Sequence, residues 1–124
     1  MENLIKVGEY IRTNKGNIGK IIEIRLGFNK DTQLYQDIYI LDNGLWTVLD
    51  YIVKHSKQLT DLIEIGDYVN GMQVLDVYKP RDLWEPVEIR VDSRYTNFIL
   101  AEEIKTILTK ESYMANCYKV GGEE

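Results

Sequence analysis

The chain has 124 residues, 44% of them hydrophobic, and a formal net charge of −5 at neutral pH. This length is typical of one domain or of two very small fused units, and the apolar content can build a core without disulfide or metal staples. No apolar stretch approaches the roughly 18 residues of a membrane helix, and the N-terminus lacks the features of a signal peptide. We therefore expect a cytoplasmic protein that does not contact membranes.

Charge differs between the two halves of the chain. Residues 1–62 carry eight basic and eight acidic side chains, whereas residues 63–124 carry seven and twelve and so hold the whole net charge. The negative sum argues against sequence-independent nucleic-acid binding as the main activity, because such binding neutralises phosphates with Lys and Arg. The acidic second half is suited to a basic partner surface.

Period-two alternation dominates the first thirty residues. Residues 7–12 predict a short strand, and the Asn- and Gly-containing segment 14–17 predicts a tight turn. The β-branched run 18–28 predicts a long strand with Ile18, Ile22 and Ile24 on one face. A bulge near Gly19 or at Ile21–Ile22 is needed to keep the faces consistent. A polar loop at 29–32 follows.

The next two apolar runs, 36–41 and 45–49, are joined by Asp42-Asn43-Gly44. Asn-Gly is the strongest short-range hairpin signal, because a type I′ turn needs positive φ at both central residues. This segment therefore predicts a β-hairpin. Leu59, Leu62 and Ile63 then recur at helical spacing, which predicts one or two turns of helix.

Residues 65–69 repeat residues 7–11 position for position, with Gly66-Asp67 matching Gly8-Glu9. This repeat predicts two related β units, 1–62 and 63–120, with a frayed tail at 121–124 and one compact domain as the alternative. In the second unit we expect a proline-framed loop at 79–86, a hairpin of strands 87–91 and 95–100, and a strand at 104–108. Thr109 is suited to cap a short helix that runs to about Cys117.

The segment Val7-Gly8-Glu9-Tyr10-Ile11, with Gly16, Gly19 and Ile21 to Ile24, resembles the opening of SH3-like small barrels of the KOW type; residues 65–77 carry a weaker copy. The resemblance implies a mainly β fold, either an SH3-like barrel or strongly curved antiparallel sheets, with one or two short helices. A shared fold does not fix a function.

Most of the chain also resembles uncharacterised small proteins encoded in prophages and phages of Gram-positive bacteria. The segments that carry this resemblance are 6–12, 53–57, 61–69, 105–111 and 116–120, and residues 29–36 and 79–98 do not match. The resemblance implies a phage origin, and hence the cytoplasm of a host cell. It brings no catalytic residue.

Catalytic and metal chemistry find little support in the sequence. Cys117 and His55 are the only Cys–His pair that the chain offers, and each is better explained as a structural residue. A single cysteine and a single histidine far apart in sequence do not make a metal-ligand cluster. Gly16 to Lys20 lacks the remaining elements of a phosphate-binding P-loop. We therefore expect no enzyme, no cofactor and no metal.

Aromatic and basic residues give the functional candidates. Nine Tyr and two Trp exceed what a core of this size requires, and both residue types anchor interfaces. Trp84, in the loop beside Arg81, is the first candidate for an exposed anchor, while Trp46 is expected to lie mostly in the core. A basic strip on the outer face of the first hairpin would bind phosphates or an acidic protein. The candidate binding residues are Arg12, Lys15, Lys20, Arg25, Trp46, Arg81, Trp84 and Arg94.

Three functional hypotheses follow. The first is a non-enzymatic phage-type protein that occupies a host macromolecule or signal, for example by inhibiting a defence protein or by sequestering a nucleotide in a dimer. The second is a KOW-like nucleic-acid binder that uses the basic strip. The third is a minor phage structural or assembly protein that forms homo-oligomers through sheet edges.

Overall fold

A computed structural model describes residues 4–81 and 85–117 of the chain. The chain divides into two compact units, Met1–Leu62 and Ile63–Glu124, called unit 1 and unit 2 below. Each contains a five-stranded antiparallel sheet, which confirms the predicted mainly β fold with a short helix. Among the described residues, no helix combines the length and apolar character that crossing a bilayer requires.

Unit 1 is a four-stranded meander to which a fifth strand is added. Its strands are β1 (Tyr10–Thr13), β2 (Ile18–Asn29), β3 (Leu34–Leu41), β4 (Trp46–Val48) and β5 (Ile52–Ser56). A 3₁₀ turn at Leu49–Tyr51 reverses the chain after β4, so that β5 pairs with β1 and the strand order is β4-β3-β2-β1-β5. A second 3₁₀ turn, Leu59–Leu62, lies where a short helix was expected.

Unit 2 has the same connectivity with shorter strands. They are β6 (Tyr68–Val69), β7 (Met72–Tyr78), β8 (Glu88–Val91), β9 (Phe98–Leu100) and β10 (Ile107–Leu108). The strand order β10-β6-β7-β8-β9 is the order of unit 1 listed from the opposite edge, so each strand has the same neighbours as its counterpart. A 3₁₀ turn at Ala101–Glu103 again follows the fourth strand. Helix α1 (Lys110–Asn116) follows, with the Thr109 side chain accepting a hydrogen bond from Ser112 N at its start.

The repeat seen in the sequence is also a repeat of backbone hydrogen bonds. Gly8 N donates to Ile21 O at 2.9 Å and Ile21 N donates to Glu9 O at 2.8 Å, while the same bonds join Gly66 and Asp67 to Val74 at 3.0 and 2.7 Å. Both glycines have φ near +100°, a conformation that costs any other L-residue free energy. The Gly-acid pair therefore fixes the entry into the sheet in both units.

The core of unit 1 is formed by Ile11, Ile21, Tyr39 and Leu41, onto which Ile5, Ile24 and Ile52 pack. Its β2 strand changes face at a bulge between Ile21 and Glu23, as predicted. The expected grouping of Ile18, Ile22 and Ile24 is wrong, because the bulge puts Ile21 in the core and leaves Ile22 55% exposed. Burial raises the pKa of the Tyr39 phenol, and the charge of Asp37 adds to this effect.

The core of unit 2 is made by Ile63, Val69, Val74, Ile89, Val91 and Ile99. A bulge between Val74 and Asp76 occupies the position of the unit 1 bulge, one strand residue after the repeated hydrogen bond. The two sheets therefore share strand order, bulge and the placement of their core residues on the second strand.

Several predicted boundaries shift in the structure. The first strand begins at Tyr10, since Val7 and Gly8 form a turn, and β5 was not predicted at all. Both predicted hairpins, at Asp42-Asn43-Gly44 and between β8 and β9, are present. The Asn-Gly turn is not of the expected type I′, because φ is positive at Gly44 but not at Asn43, and Gly44 N donates to Leu41 O at 3.0 Å. The last predicted strand contracts to Ile107–Leu108. Part of the loop at 79–86 and the tail at 121–124 lie outside the described residues.

Candidate functional site

A pocket of about 220 Å³ opens in unit 1 between the β1–β2 turn, the start of β4 and the 3₁₀ turn that follows β4. Its lining residues are Thr13, Asn14, Lys15, Asn17, Leu41, Leu45, Trp46, Thr47 and Tyr51. Two of the predicted binding residues, Lys15 and Trp46, thus meet at one place. Among the described residues, no other predicted binding residue lines this pocket.

The β1–β2 turn that carries Lys15 is held by its own backbone. Thr13 N donates to Asn17 O at 2.9 Å, Gly16 N donates to Thr13 O at 3.0 Å, and Asn17 N donates to the Thr13 hydroxyl at 3.1 Å. Gly16 has φ of 87°, which the turn requires. Asn14 N donates to Tyr51 O at 2.8 Å and so ties this turn to the 3₁₀ turn that carries Tyr51. Two walls of the pocket are therefore directly linked.

The third wall, at Leu45 and Trp46, is fixed by the predicted Asn-Gly turn. Gly44 has φ of 88°, and the Asn43 carboxamide accepts from Leu45 N at 3.0 Å while donating to Ile18 O at 3.0 Å. The side chain of Asn43 thereby joins the turn before Trp46 to the strand that leaves the Lys15 turn. Because the backbone of these segments is fixed, a ligand would need to order only the side chains that it contacts.

The chemistry of the lining is aromatic, polar and cationic. Trp46 is 64% exposed and Tyr51 is 52% exposed, whereas Leu41, Thr13 and Thr47 form a buried floor. Trp46 was expected to lie mostly in the core; its exposure instead leaves the indole available to a ligand. Lys15 supplies a positive charge, and no described residue of the lining carries a carboxylate. Within the described contacts of the chain, the side chains of Asn14, Lys15 and Asn17 make no hydrogen bond or ion pair.

The predicted basic strip does not form as expected. Arg12 is completely buried, and its Nη1 donates to Leu62 O at 2.9 Å, so its placement on the outer face is wrong. Arg25 is exposed but binds both oxygens of Glu23 at 2.8 and 3.2 Å, and this hydrogen bonding raises the pKa of Arg25 and lowers that of Glu23. Lys20 remains exposed, with its ammonium 5.8 Å from the Tyr10 ring centroid.

The remaining predicted binding residues belong to unit 2 or lie outside the described residues. Arg81 is exposed at the end of a described segment, and Arg94 is exposed in the loop between β8 and β9. Trp84, the first candidate for an exposed anchor, falls in the segment 82–84 that the structure does not describe.

Several ionisable groups outside the pocket have structural partners. His55 Nδ1 lies 2.6 Å from Glu9 Oε1, and the buried Asp67 accepts from Glu64 N and Lys110 N at 2.7 and 2.9 Å. Cys117 Sγ donates to Met114 O at the end of α1. Among residues 4–81 and 85–117, no group of three or more His, Cys, Asp or Glu side chains is arranged to hold a metal ion.

Sequence reasoning missed Tyr51 and Thr47. Tyr51 belongs to the tyrosine excess, but the chain reversal that brings it to the Lys15 turn depends on an unpredicted 3₁₀ turn. Thr47 was read as one residue of an apolar strand, yet its hydroxyl is buried in the pocket floor. A polar residue at an inward position of a short strand is the signal that could have identified it.

The counterparts of these residues in unit 2 are different. Strand pairing aligns Trp46 with Phe98, Thr47 with Ile99 and Tyr51 with Glu103. The turn that carries Lys15 is replaced by the two-residue turn Asn70-Gly71, whose Asn70 side chain donates to Glu103 O at 2.9 Å. The pocket residues are therefore a specific property of unit 1 and not of the shared architecture.

Comparisons with protein-family models, with curated proteins and with solved structures find no match to this chain.

Proposed function

We propose that the chain is a non-enzymatic, phage-type binding protein. It acts by sequestering a small anionic molecule of the host cell in the pocket of unit 1. The observation that carries the proposal is the meeting of Lys15, Trp46 and Tyr51 around one pocket to which no residue within 4–81 and 85–117 contributes a carboxylate. A concave site that combines aromatic walls with a few fixed polar groups is typical of small-molecule binding. Sequestration of a host signal is the form of counter-defence that such a site supports.

The same geometry favours a small ligand over a nucleic-acid polymer. A nucleic-acid groove needs several cations along the backbone path. Of the four cations in the predicted strip, Arg12 is buried and Arg25 is paired with Glu23, which leaves Lys15 and Lys20. Two lysines support the binding of one anionic group better than the binding of an extended strand.

Trp46 allows a direct test, because the chain has only two tryptophans. In a Trp84→Phe background, the emission of Trp46 should change when the protein is mixed with the low-molecular-mass fraction of a bacterial extract. Native mass spectrometry should identify a retained compound of unchanged mass after incubation. Trp46→Ala should abolish retention, whereas Phe98→Ala, at the equivalent strand position of unit 2, should not.

Two results would overturn the proposal. If no small compound is retained while the macromolecular fraction binds, the working surface is not this pocket. If the retained compound is chemically converted, the protein is an enzyme.

A further inference from the structure

We infer that the ligand of this pocket is a nucleotide whose base stacks against Trp46 and Tyr51 and whose phosphate is bound by Lys15 with Asn14 and Asn17. The inference rests on the proposed binding function and specifies the chemical class of the ligand. It follows from the kinds of groups that the pocket brings together and from its size.

The aromatic walls select a flat ring. Trp46 and Tyr51 lie on separate elements on the rim of the pocket, and each exposes more than half of its surface. Stacking of a base on an aromatic side chain is favourable for every base, because each base has a π-face. An aliphatic acid or a sugar phosphate would gain far less from these two side chains.

The charged wall selects an anion. Lys15 lies in the β1–β2 turn between Asn14 and Asn17, so an ammonium and two carboxamides share one short segment. All three side chains can donate hydrogen bonds, and none is engaged by another described residue. A phosphate next to this turn would accept hydrogen bonds from these neighbouring side chains. A nucleoside has no phosphate and could not accept them.

The size limits the ligand to a single ring system inside the pocket. A volume of about 220 Å³ is below the roughly 300–1,000 Å³ of sites for drug-sized ligands. Thr13 and Thr47 are buried lining residues whose hydroxyls bond within the protein: the Thr13 hydroxyl accepts from Asn17 N at 3.1 Å, and the Thr47 hydroxyl donates to Val48 O at 3.4 Å. One base therefore enters, and the phosphate remains at the rim with Lys15.

The test uses the full chain and calorimetric titration with defined probes: AMP, GMP and UMP, the nucleoside of each, inorganic phosphate and a single-stranded oligonucleotide. At least one mononucleotide should bind more tightly than its nucleoside by about two- to fivefold, the difference that one exposed ion pair supplies. Trp46→Ala should weaken that nucleotide by about 10- to 100-fold, and Trp46→Phe should restore most of the loss.

Lys15 provides the matched charge comparison. Lys15→Ala should reduce the affinity of the nucleotide to that of the nucleoside, whereas Lys30→Ala, which removes the same charge from the β2–β3 turn of unit 1, should change neither. Equal losses in both lysine variants would overturn the phosphate assignment. If the oligonucleotide binds far more tightly than every mononucleotide, the ligand is a nucleic acid and the inference is wrong.

The nucleotide inference and the proposed binding function can fail separately. If no nucleotide binds but a different small compound from the extract is retained and lost in Trp46→Ala, the nucleotide inference is wrong and the proposed binding function stands. If no compound binds in either experiment, both are wrong.

Discussion

Arg12 and Arg25 show how differently two arginines of one hairpin can be used. Both were assigned to a single basic strip, yet Arg12 is fully buried with its guanidinium bonded to Leu62 O, while Arg25 is exposed and paired with Glu23. Substituting a buried arginine leaves its hydrogen-bond acceptors unpaired and opens a void. Substituting an exposed arginine costs less, because water takes over the hydrogen bonds of its ion-pair partner. The two residues should therefore differ strongly in their contribution to stability.

We predict that Arg12→Met lowers the free energy of unfolding by about 2–4 kcal/mol, because it removes the donor to a buried carbonyl. Arg25→Met should change it by less than about 1 kcal/mol, as is typical of exposed pairs. Urea unfolding followed by circular dichroism measures both variants. Similar losses in the two variants would contradict the structural role assigned to Arg12.

Lys110 gives a prediction with a pH dependence. Its Nζ lies 2.8 Å from Glu64 Oε1, and this hydrogen bond raises the pKa of Lys110 above its ordinary value of 10.5. A raised folded-state pKa stabilises the protein fully below the ordinary pKa and loses this effect as the pH rises through the folded-state pKa. Lys110→Met should thus be less stable than the parent near neutral pH, by at most about 1 kcal/mol because the pair is partly exposed.

Above pH 10.5 the difference between Lys110→Met and the parent should shrink. Thermal unfolding across this range measures it, with Lys105→Met as a control, since Lys105 is exposed and outside this ion pair. A difference that stays constant with pH would mean that Lys110 stabilises through packing alone.

Among the elements, the Gly-acid turn joins the start of the first strand to the second strand of each sheet by backbone hydrogen bonds. An added Cβ at Gly8 would meet no atom within 4 Å, so any cost of Gly8→Ala comes from its φ of +97° and not from a clash. We predict a loss of about 1–2 kcal/mol for Gly8→Ala and a smaller loss for Gly8→Asn, which tolerates the left-handed region better. Denaturant unfolding distinguishes them, and equal losses would argue against a backbone cause.

Local chemistry made most of the elements predictable, and long-range contacts determined what was missed. Asn43-Gly44 and Thr109 act on residues close in sequence, so the hairpin and the start of α1 could be read directly. The burial of Arg12 depends on a carbonyl fifty positions away, and β5 exists because it pairs with β1. Of the site, Lys15 and Trp46 were recognised by residue type, whereas their meeting with Tyr51 required the fold.

In the whole molecule, the two units share one strand order but have different residues at the positions that line the unit 1 pocket. Placing the unit 2 residues into the pocket, as Thr47→Ile with Tyr51→Glu, fills its floor and adds a negative charge beside Lys15. Isoleucine is accommodated at the same sheet position in Ile99, so the fold should be retained. We predict that ligand binding is lost while the circular dichroism spectrum is unchanged. Retained affinity would exclude this pocket as the binding site.

The charge of the whole chain shapes how binding should respond to salt. The net charge of −5 repels an anion at long range, while the pocket attracts it through Lys15, with Lys20 on the same hairpin. Salt screens both effects, and one or two neutralised phosphate charges give a shallow dependence. Between about 50 and 200 mM salt the affinity for a mononucleotide should therefore fall by less than about tenfold.

A protein that makes 6–10 phosphate contacts would lose about 10³–10⁵ in affinity over the same range. Titrations at several salt concentrations measure the slope, and Lys15→Ala should flatten it further because it removes the only cation that lines the described pocket. A steep slope that survives Lys15→Ala would place the phosphate contacts on another surface, and it would favour a nucleic acid as the partner.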